Sequence, residues 1–382
     1  MPSQKYKAGI YIHLPFCTTK CMYCDFYSIT DSEDMIEVFV NSLVNEISYF
    51  KEKKYSYNWE FDTIFFGGGT PSLISPFYIN RILNELDKNY NISNVNEITM
   101  EINPGETNKE NLISYKSLGI NRISIGCQSF SDKLLKFLGR LHSKDDAILC
   151  YDLVRKIGYD NVNIDMIYDI PGQTIDKWVN DLNMAIGLDP DHICAYSLTV
   201  EKGTKLYNLV NDKRIVMPDE SIDIEMFSKG IEQLNSAQYK MYEISNYAKK
   251  NRKCNHNLHY WENEPYLGFG PSAHSHDLQQ RWSNYRSLST YINEIRNKRL
   301  PITQTETLSK NNKFNEIVFN GLRMANGINL DKLNSVNNMI IEDFINKALK
   351  KWPQLILDKN HLKLDHSGII IADEIASDLL VI

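Results

Sequence analysis

Cys17, Cys21 and Cys24 fall within the eight residues CTTKCMYC of a 382-residue chain that holds seven cysteines in all. Even scatter would place about one cysteine in every fifty-odd residues, so the cluster asks for a chemical reason. Three chemistries suit thiols spaced CxxxCxxC. They could be packing thiols gathered by chance. They could hold zinc with a distant fourth ligand, although structural zinc usually pairs CxxC with a second CxxC or HxxxH, and no second pair is visible. They could hold an iron–sulfur cluster of four irons, leaving one iron with an open position for a substrate or cofactor. A ferredoxin of the electron-transfer type would want a fourth local cysteine, and Phe26 stands where the nearest one would fall.

Other polar residues collect where chemistry is usually placed. Gly69 and Thr70 lie in GGGTP, and Glu101, Gln128 and Asp165 lie in or at the end of predicted strands. Each has a bland alternative. GGGTP suits a tight turn, a lone acid at a strand end is often hydrogen-bonded structure, and Arg140 could pair with a surface acid. GxGxxG is absent, which removes the simplest dinucleotide reading.

These residues need a scaffold. Short β-branched or aromatic runs at 8–14, 61–69, 96–103, 120–128, 159–168 and 191–199 read as strands. Segments at 35–50, 75–90, 111–120, 146–158 and 174–188 repeat apolar residues at helical intervals. Gly119 and Gly158 stand where helix C-caps belong. Six strands separated by helices predict parallel βαβ units, with chemistry at the strands' C-terminal ends. Six units are too few for a closed eight-fold barrel, so the fold class is α/β, a partial (β/α)6 TIM-type barrel. A helix-like stretch at 219–238 follows, then the Asn/His/aromatic region 254–277. The tail beyond Pro301 reads helix, helix, two short strands LILD and LKLD, then helix, the order of a winged helix. The expected units are therefore 1–210, a connecting segment 211–300 and a winged-helix-like module 301–382.

Composition narrows the partners. The net charge is −6, and residues 301–382 hold nine Lys+Arg against ten Asp+Glu. That argues against nucleic acid, which wants a basic face. The opening residues do not read as a secretory signal, and no run of eighteen apolar residues suggests a membrane helix. An odd, uneven set of cysteines is no disulfide framework, and a reducing cytoplasm is the natural compartment.

CxxxCxxC with Tyr23 before the last cysteine resembles the signature of the radical S-adenosylmethionine (SAM) superfamily. The stretches GIYIHLPFCTTKCMYCDF, FFGGGTPS, EINPGE, NRISIGCQSF, LGRLH and NVNIDMIYDIPGQT are similar, in order and interval, to one branch of it. That branch contains oxygen-independent coproporphyrinogen III dehydrogenase and the HemW-type haem chaperones. The resemblance implies a 4Fe–4S cluster on Cys17, Cys21 and Cys24, with SAM chelating the open iron and open to reductive cleavage. It implies SAM contacts from Tyr11, Tyr23, Gly69, Thr70, Glu101, Gln128, Arg140 and Asp165. Gly69 and Thr70 would do so through close backbone approach.

Two features separate the branch members. The dehydrogenase typically has a cysteine where this chain has Phe26, and a longer arm before the first strand. HNLHYW, His256 to Trp261, fits the HNxxYW pattern and, with GFGPSAHS after it, resembles the chaperone type. Imidazole is a common axial ligand of haem iron, and the resemblance gives that role to His256. A structural hydrogen-bonding role for HNxxYW, or a zinc site from Cys254, His256, His259, His274 and His276, are the other readings of this segment. The expected function is a haem chaperone carrying a 4Fe–4S cluster and SAM. The alternatives are the dehydrogenase and a zinc-stabilised interaction protein. The partners implied are haem, a haem-acceptor protein, membrane-associated acceptors included, and a flavodoxin- or ferredoxin-type reductant. The oligomeric state is left open.

Overall fold

The computed structural model describes residues 6–54, 57–336 and 341–381. The first five residues, part of the opening read above as no signal sequence, lie outside them. The barrel runs β1 (Tyr6–Leu14), α1 (Ile36–Lys53), β2 (Trp59–Gly68), α2 (Pro76–Asn89), β3 (Glu97–Ile102) and α3 (Lys109–Ser117). It continues through β4 (Arg122–Gln128), α4 (Asp132–Leu138), α5 (Lys144–Ile157), β5 (Val162–Tyr168), α6 (Ile175–Gly187) and β6 (His192–Ser197). The six strands pair in parallel and in sequence order.

The β1 pleat sorts its residues. Ile10, Ile12 and Leu14 are fully buried in the main core, while Tyr11 and His13 line a cavity. Helix α1 brings Phe39, Val40, Leu43 and Ile47, all fully buried and spaced along one helical face, into the same core. Each such side chain contributes about 1.5–3 kcal/mol. Gly158 caps α5 in the left-handed conformation, φ +95°, as its position predicted.

The sheet does not stop at residue 210. After α7 (Lys205–Asn211) and α8 (Glu220–Ser236), the hairpin β7 (Lys240–Glu243) and β8 (Asn246–Ala248) joins the β6 edge. Helix α9 (Asn255–Trp261) then leads to β9 (Tyr266–Phe269), which pairs in parallel with β1. Strands β10 (His274–His276) and β11 (Gln280–Asn284), helix α10 (Leu288–Arg296) and strand β12 (Ile302–Thr307) follow. Among the described residues the sheet has twelve strands, β12-β11-β10-β9-β1-β2-β3-β4-β5-β6-β8-β7. The expected connecting segment 211–300 thus builds both flanks of one sheet, and no break falls at 210. An open parallel sheet has two edges of unpaired backbone groups, and these added strands cover them.

The lobe beyond has its own core. Its order is α11 (Lys310–Arg323), β13 (Ile328–Asn329), α12 (Leu330–Val336), α13 (Ile341–Lys351), β14 (Leu355–Asp358), β15 (His361–Leu364), α14 (His366–Ile370) and α15 (Ala372–Asp378). Strands β13, β15 and β14 form a small antiparallel sheet, the winged-helix arrangement. Phe314, Val318, Leu333, Leu362 and Ile375 pack its centre. Main-chain bonds from Ile244 to Arg323 and from Ala325 to Tyr242, both 3.0 Å, tie it to the β7–β8 turn region. Among the described residues no helix is long and apolar enough to cross a membrane.

Candidate functional site

The cysteine loop leaves the C-terminal end of β1 and is tied down on several sides. Cys17 N–H donates to the Ile29 carbonyl at 2.9 Å, and Ile29 N–H to the Pro15 carbonyl at 2.7 Å. Lys20 Nζ spans the loop to the Phe26 carbonyl at 2.6 Å and Ser28 Oγ at 2.8 Å. Met22 N–H donates to the Leu138 carbonyl at the end of α4, and Leu206 N–H of α7 donates to the Met22 carbonyl at 2.8 Å. Both helices have only seven residues, too few to show a helical period, and neither was predicted. They brace the loop, with Tyr23 packed on the small core of Leu134, Leu138 and Leu206.

Cys17, Cys21 and Cys24 line one cavity together with Tyr23, Gly69, Thr70, Glu101, Gln128, Arg140 and Asp165. Ten of the eleven residues expected at the cluster and SAM site therefore meet in one place. Tyr11 does not line this cavity. It lies in a neighbouring one, its hydroxyl 3.1 Å from His13 Nδ1. The cause is its position in mid-β1, well below the strand end where the thiols stand.

Gly69 and Thr70 are placed as expected, for a different reason. Their N–H groups already donate to the Leu14 and Phe16 carbonyls at 2.8 and 2.7 Å. A Cβ on Gly69 would stand 2.5 Å from the Phe16 carbonyl oxygen. The close approach to the cysteine loop by itself requires glycine at this position. Thr70 Oγ1 lies 3.7 Å from Cys17 Sγ and accepts from Asn103 Nδ2 at 2.9 Å.

Arg140 is half-buried in the cavity wall, and among the described residues it pairs with no acid. Its guanidinium donates to Cys21 Sγ at 3.7 Å, Asn103 Oδ1 at 2.5 Å and the Gly126 carbonyl at 2.8 Å. Gln128 sits at a β-bulge with φ +68° and accepts from the Tyr196 hydroxyl at 3.0 Å. Such a strained non-glycine backbone at a strand end is a mark of a functional position. Asp165 accepts from Asn163 at 2.7 Å and Ser124 at 3.1 Å. Asn103 and Tyr196 were not singled out, although Asn103 lies within EINPGE and both stand at strand ends.

Burial governs the charges. It pushes the Cys17 and Cys24 thiols up, so a cluster's own positive charge must draw off their protons. Burial and the Asp165 charge push Glu101 up to about 8, and burial also raises Asp165. Two buried acids facing one cavity suit a cationic ligand, which SAM, with its sulfonium, is. The three thiols beside the Arg140 guanidinium suit an anionic cluster. Among the described residues no three His, Cys, Asp or Glu side chains gather as a single metal ion would require.

The second cavity, about 520 Å³, shares Phe26, Gly68 and Glu101 with the first. His256 of α9 lines it with a fully engaged ring. Nδ1 lies 2.8 Å from Thr63 Oγ1 and Nε2 2.8 Å from the Tyr260 hydroxyl. The Glu97 carboxylate accepts the N–H groups of Asn255 and His256, both at 3.0 Å, fixing the start of α9. His259 Nε2 bonds Asp62 at 2.7 Å, fixing its other end. The expected iron bond from His256 thus meets a ring with both nitrogens held by hydroxyls, the structural role weighed for this motif.

The radical SAM superfamily profile matches residues 11–185. The heme chaperone HemW of Bacillus subtilis (strain 168) is 31% identical over 369 residues, covering 96% of this chain and 97% of the relative. That of Buchnera aphidicola subsp. Schizaphis graminum is 36% identical, covering 90% of each chain. Among solved structures, coproporphyrinogen III oxidase (HemN) from Escherichia coli superposes with a TM-score of 0.84 at 19% identity. The match covers 99% of this chain and 91% of that one. At that identity the likeness establishes the fold alone.

Proposed function

The chain belongs to the heme chaperone HemW family of the radical SAM superfamily, and from that premise we propose that it binds haem and hands it to acceptor proteins. In this reading Cys17, Cys21 and Cys24 hold a 4Fe–4S cluster, and Tyr23, Gly69, Thr70, Glu101, Gln128, Arg140 and Asp165 surround SAM. When bound, the cluster supplies an iron with an open position and single electrons. The chain's own residues do the rest. Arg140 sets its guanidinium against Cys21, Glu101 and Asp165 meet the cationic end of SAM, and Tyr23 walls the cavity beside the thiols. Tyr11 lines the adjoining cavity together with Glu101.

The observation that carries the reading is the pair of cavities sharing Phe26, Gly68 and Glu101. One is walled by thiols, the other by Tyr11, Phe65, His256, Tyr260 and Tyr266, a surface suited to a flat macrocycle. Residues 1–210 carry the cofactor site and part of the haem-facing wall, 211–300 supply the rest of that wall with His256 as part of it, and within 301–382 the lobe beyond β12 is structural or partner-binding. The cluster and SAM gate haem transfer or dimerisation. A flavodoxin- or ferredoxin-type protein supplies electrons in the cytoplasm, and the acceptors include membrane-associated proteins.

The test is anaerobic reconstitution, iron and sulfide analysis, then haem titration with and without SAM. Saturable haem uptake supports the reading. Protoporphyrinogen formation from coproporphyrinogen, without haem uptake, replaces it with the dehydrogenase.

A further inference from the structure

Three histidines face the second cavity, and two are fully committed. His13 places Nδ1 3.1 Å from the Tyr11 hydroxyl and Nε2 2.8 Å from the Tyr27 carbonyl. His256 is held between Thr63 and Tyr260. Both rings are buried. Neither offers a lone pair to a ligand without breaking a hydrogen bond in a place water cannot repair.

His274 differs. It is exposed, and its imidazole makes no hydrogen bond or ring contact with any described residue. Yet it lines this same cavity. Register explains its aim. Tyr266 pairs with Gly9 and with His276, so the face of the sheet that carries Tyr266 and His276 also carries His274, two residues away. Its backbone is locked. His274 pairs with Ser283 on β11, and Gly268 opposite is so close that a Cβ there would stand 2.1 Å from the His274 carbonyl oxygen. The neighbouring Ser275 hydroxyl accepts from Gly268 N–H at 2.8 Å. A free imidazole on a rigid strand is what a metal-ligand position requires.

A cation stands on the same rim. Arg286 donates to the Asp25 carbonyl at 2.8 Å and lies 3.8 Å from the Asp25 carboxylate, with its side chain 62% exposed. It retains donors for a second carboxylate, as a propionate would present.

We propose that His274 is the residue that ligates haem iron in the second cavity, with Arg286 meeting a propionate, and that His256 is a positioning residue for the aromatic wall. The proposal rests on the haem-carrier reading. Ligation is donation of the neutral imidazole lone pair to iron, with no change of oxidation state.

Ferric haem titrated into the full-length, cluster-reconstituted protein, read by absorbance and electron paramagnetic resonance, tests it. Wild-type protein should show an imidazole-ligated spectrum. His274→Ala should lose that signature and weaken binding roughly tenfold or more, and added imidazole should restore the spectrum in His274→Gly. His256→Gln, which disturbs the aromatic wall, should weaken haem uptake while the haem that still binds keeps the imidazole signature. Retention of signature and affinity in His274→Ala overturns the assignment while leaving the haem-carrier reading intact, and so does loss of the signature in His256→Gln alone. No haem uptake by the wild type overturns both. Matching thermal melts of the His274 variants and wild type confirm that folding is not the cause.

Discussion

Glu101 and Arg140 divide the electrostatics of the first cavity. Glu101, buried beside Asp165, holds its proton up to about pH 8 until a cation arrives. SAM affinity should therefore rise with pH up to about 8 and level off above it, because binding favours the ionised carboxylate. Glu101→Gln should flatten that profile, which isothermal titration at several pH values will show; an unchanged slope counts against the carboxylate's role. Replacing any one of Cys17, Cys21 or Cys24 by Ala should abolish acid-labile sulfide after reconstitution while leaving the fold intact. Residues whose spacing is local were legible: the thiols, and the acids at strand ends. The partners of Tyr11 and His256, namely His13, Thr63 and Tyr260, were not legible because they are set by the face of a pleat or helix, which sequence order alone does not reveal. His274 was visible in GFGPSAHS, but its freedom from partners was not.

At the scale of elements, close packing around the cysteine loop makes one glycine decisive. Gly69→Ala would drive a methyl into the Phe16 carbonyl, so cluster loading should fall severalfold with little loss of secondary structure. Iron and sulfide counts against circular dichroism check this. A second device is Glu46 of α1, which accepts from Gly270 N–H at 2.8 Å and from Asn284 and Tyr291 at 2.5 Å. It joins the added strands to the barrel. Burial pushes it up to about 7, and those donors only partly offset that. Its folded pKa lies above the unfolded value near 4.5. Its stabilisation is therefore fully present below pH ~4.5 and lost as pH rises to about 7. The stability of the wild type relative to Glu46→Gln should fall between about pH 5 and about pH 8, by a few kcal/mol at most; equal differences at both pH values in denaturant unfolding would refute the linkage. The six barrel strands could be read because each is an apolar run answered by the next helix. The flanking strands could not, since β9 finds its partner in β1 at the far end of the chain.

At the scale of the whole molecule, one twelve-stranded sheet carries two adjoining cavities, and a separately cored lobe buttresses one end. The expected boundary at 210 fell inside that sheet because composition shifts there, while hydrogen bonding does not. The lobe's winged-helix order was legible from helix and strand sequence. In the proposed function the second cavity takes haem for delivery. Haem titrated into the reconstituted protein under anaerobic conditions with SAM present, followed by coproporphyrinogen offered to the same preparation, tests this. Saturation at roughly one haem per chain and no porphyrinogen turnover are expected. Turnover of coproporphyrinogen by a protein that takes up no haem would contradict that proposal.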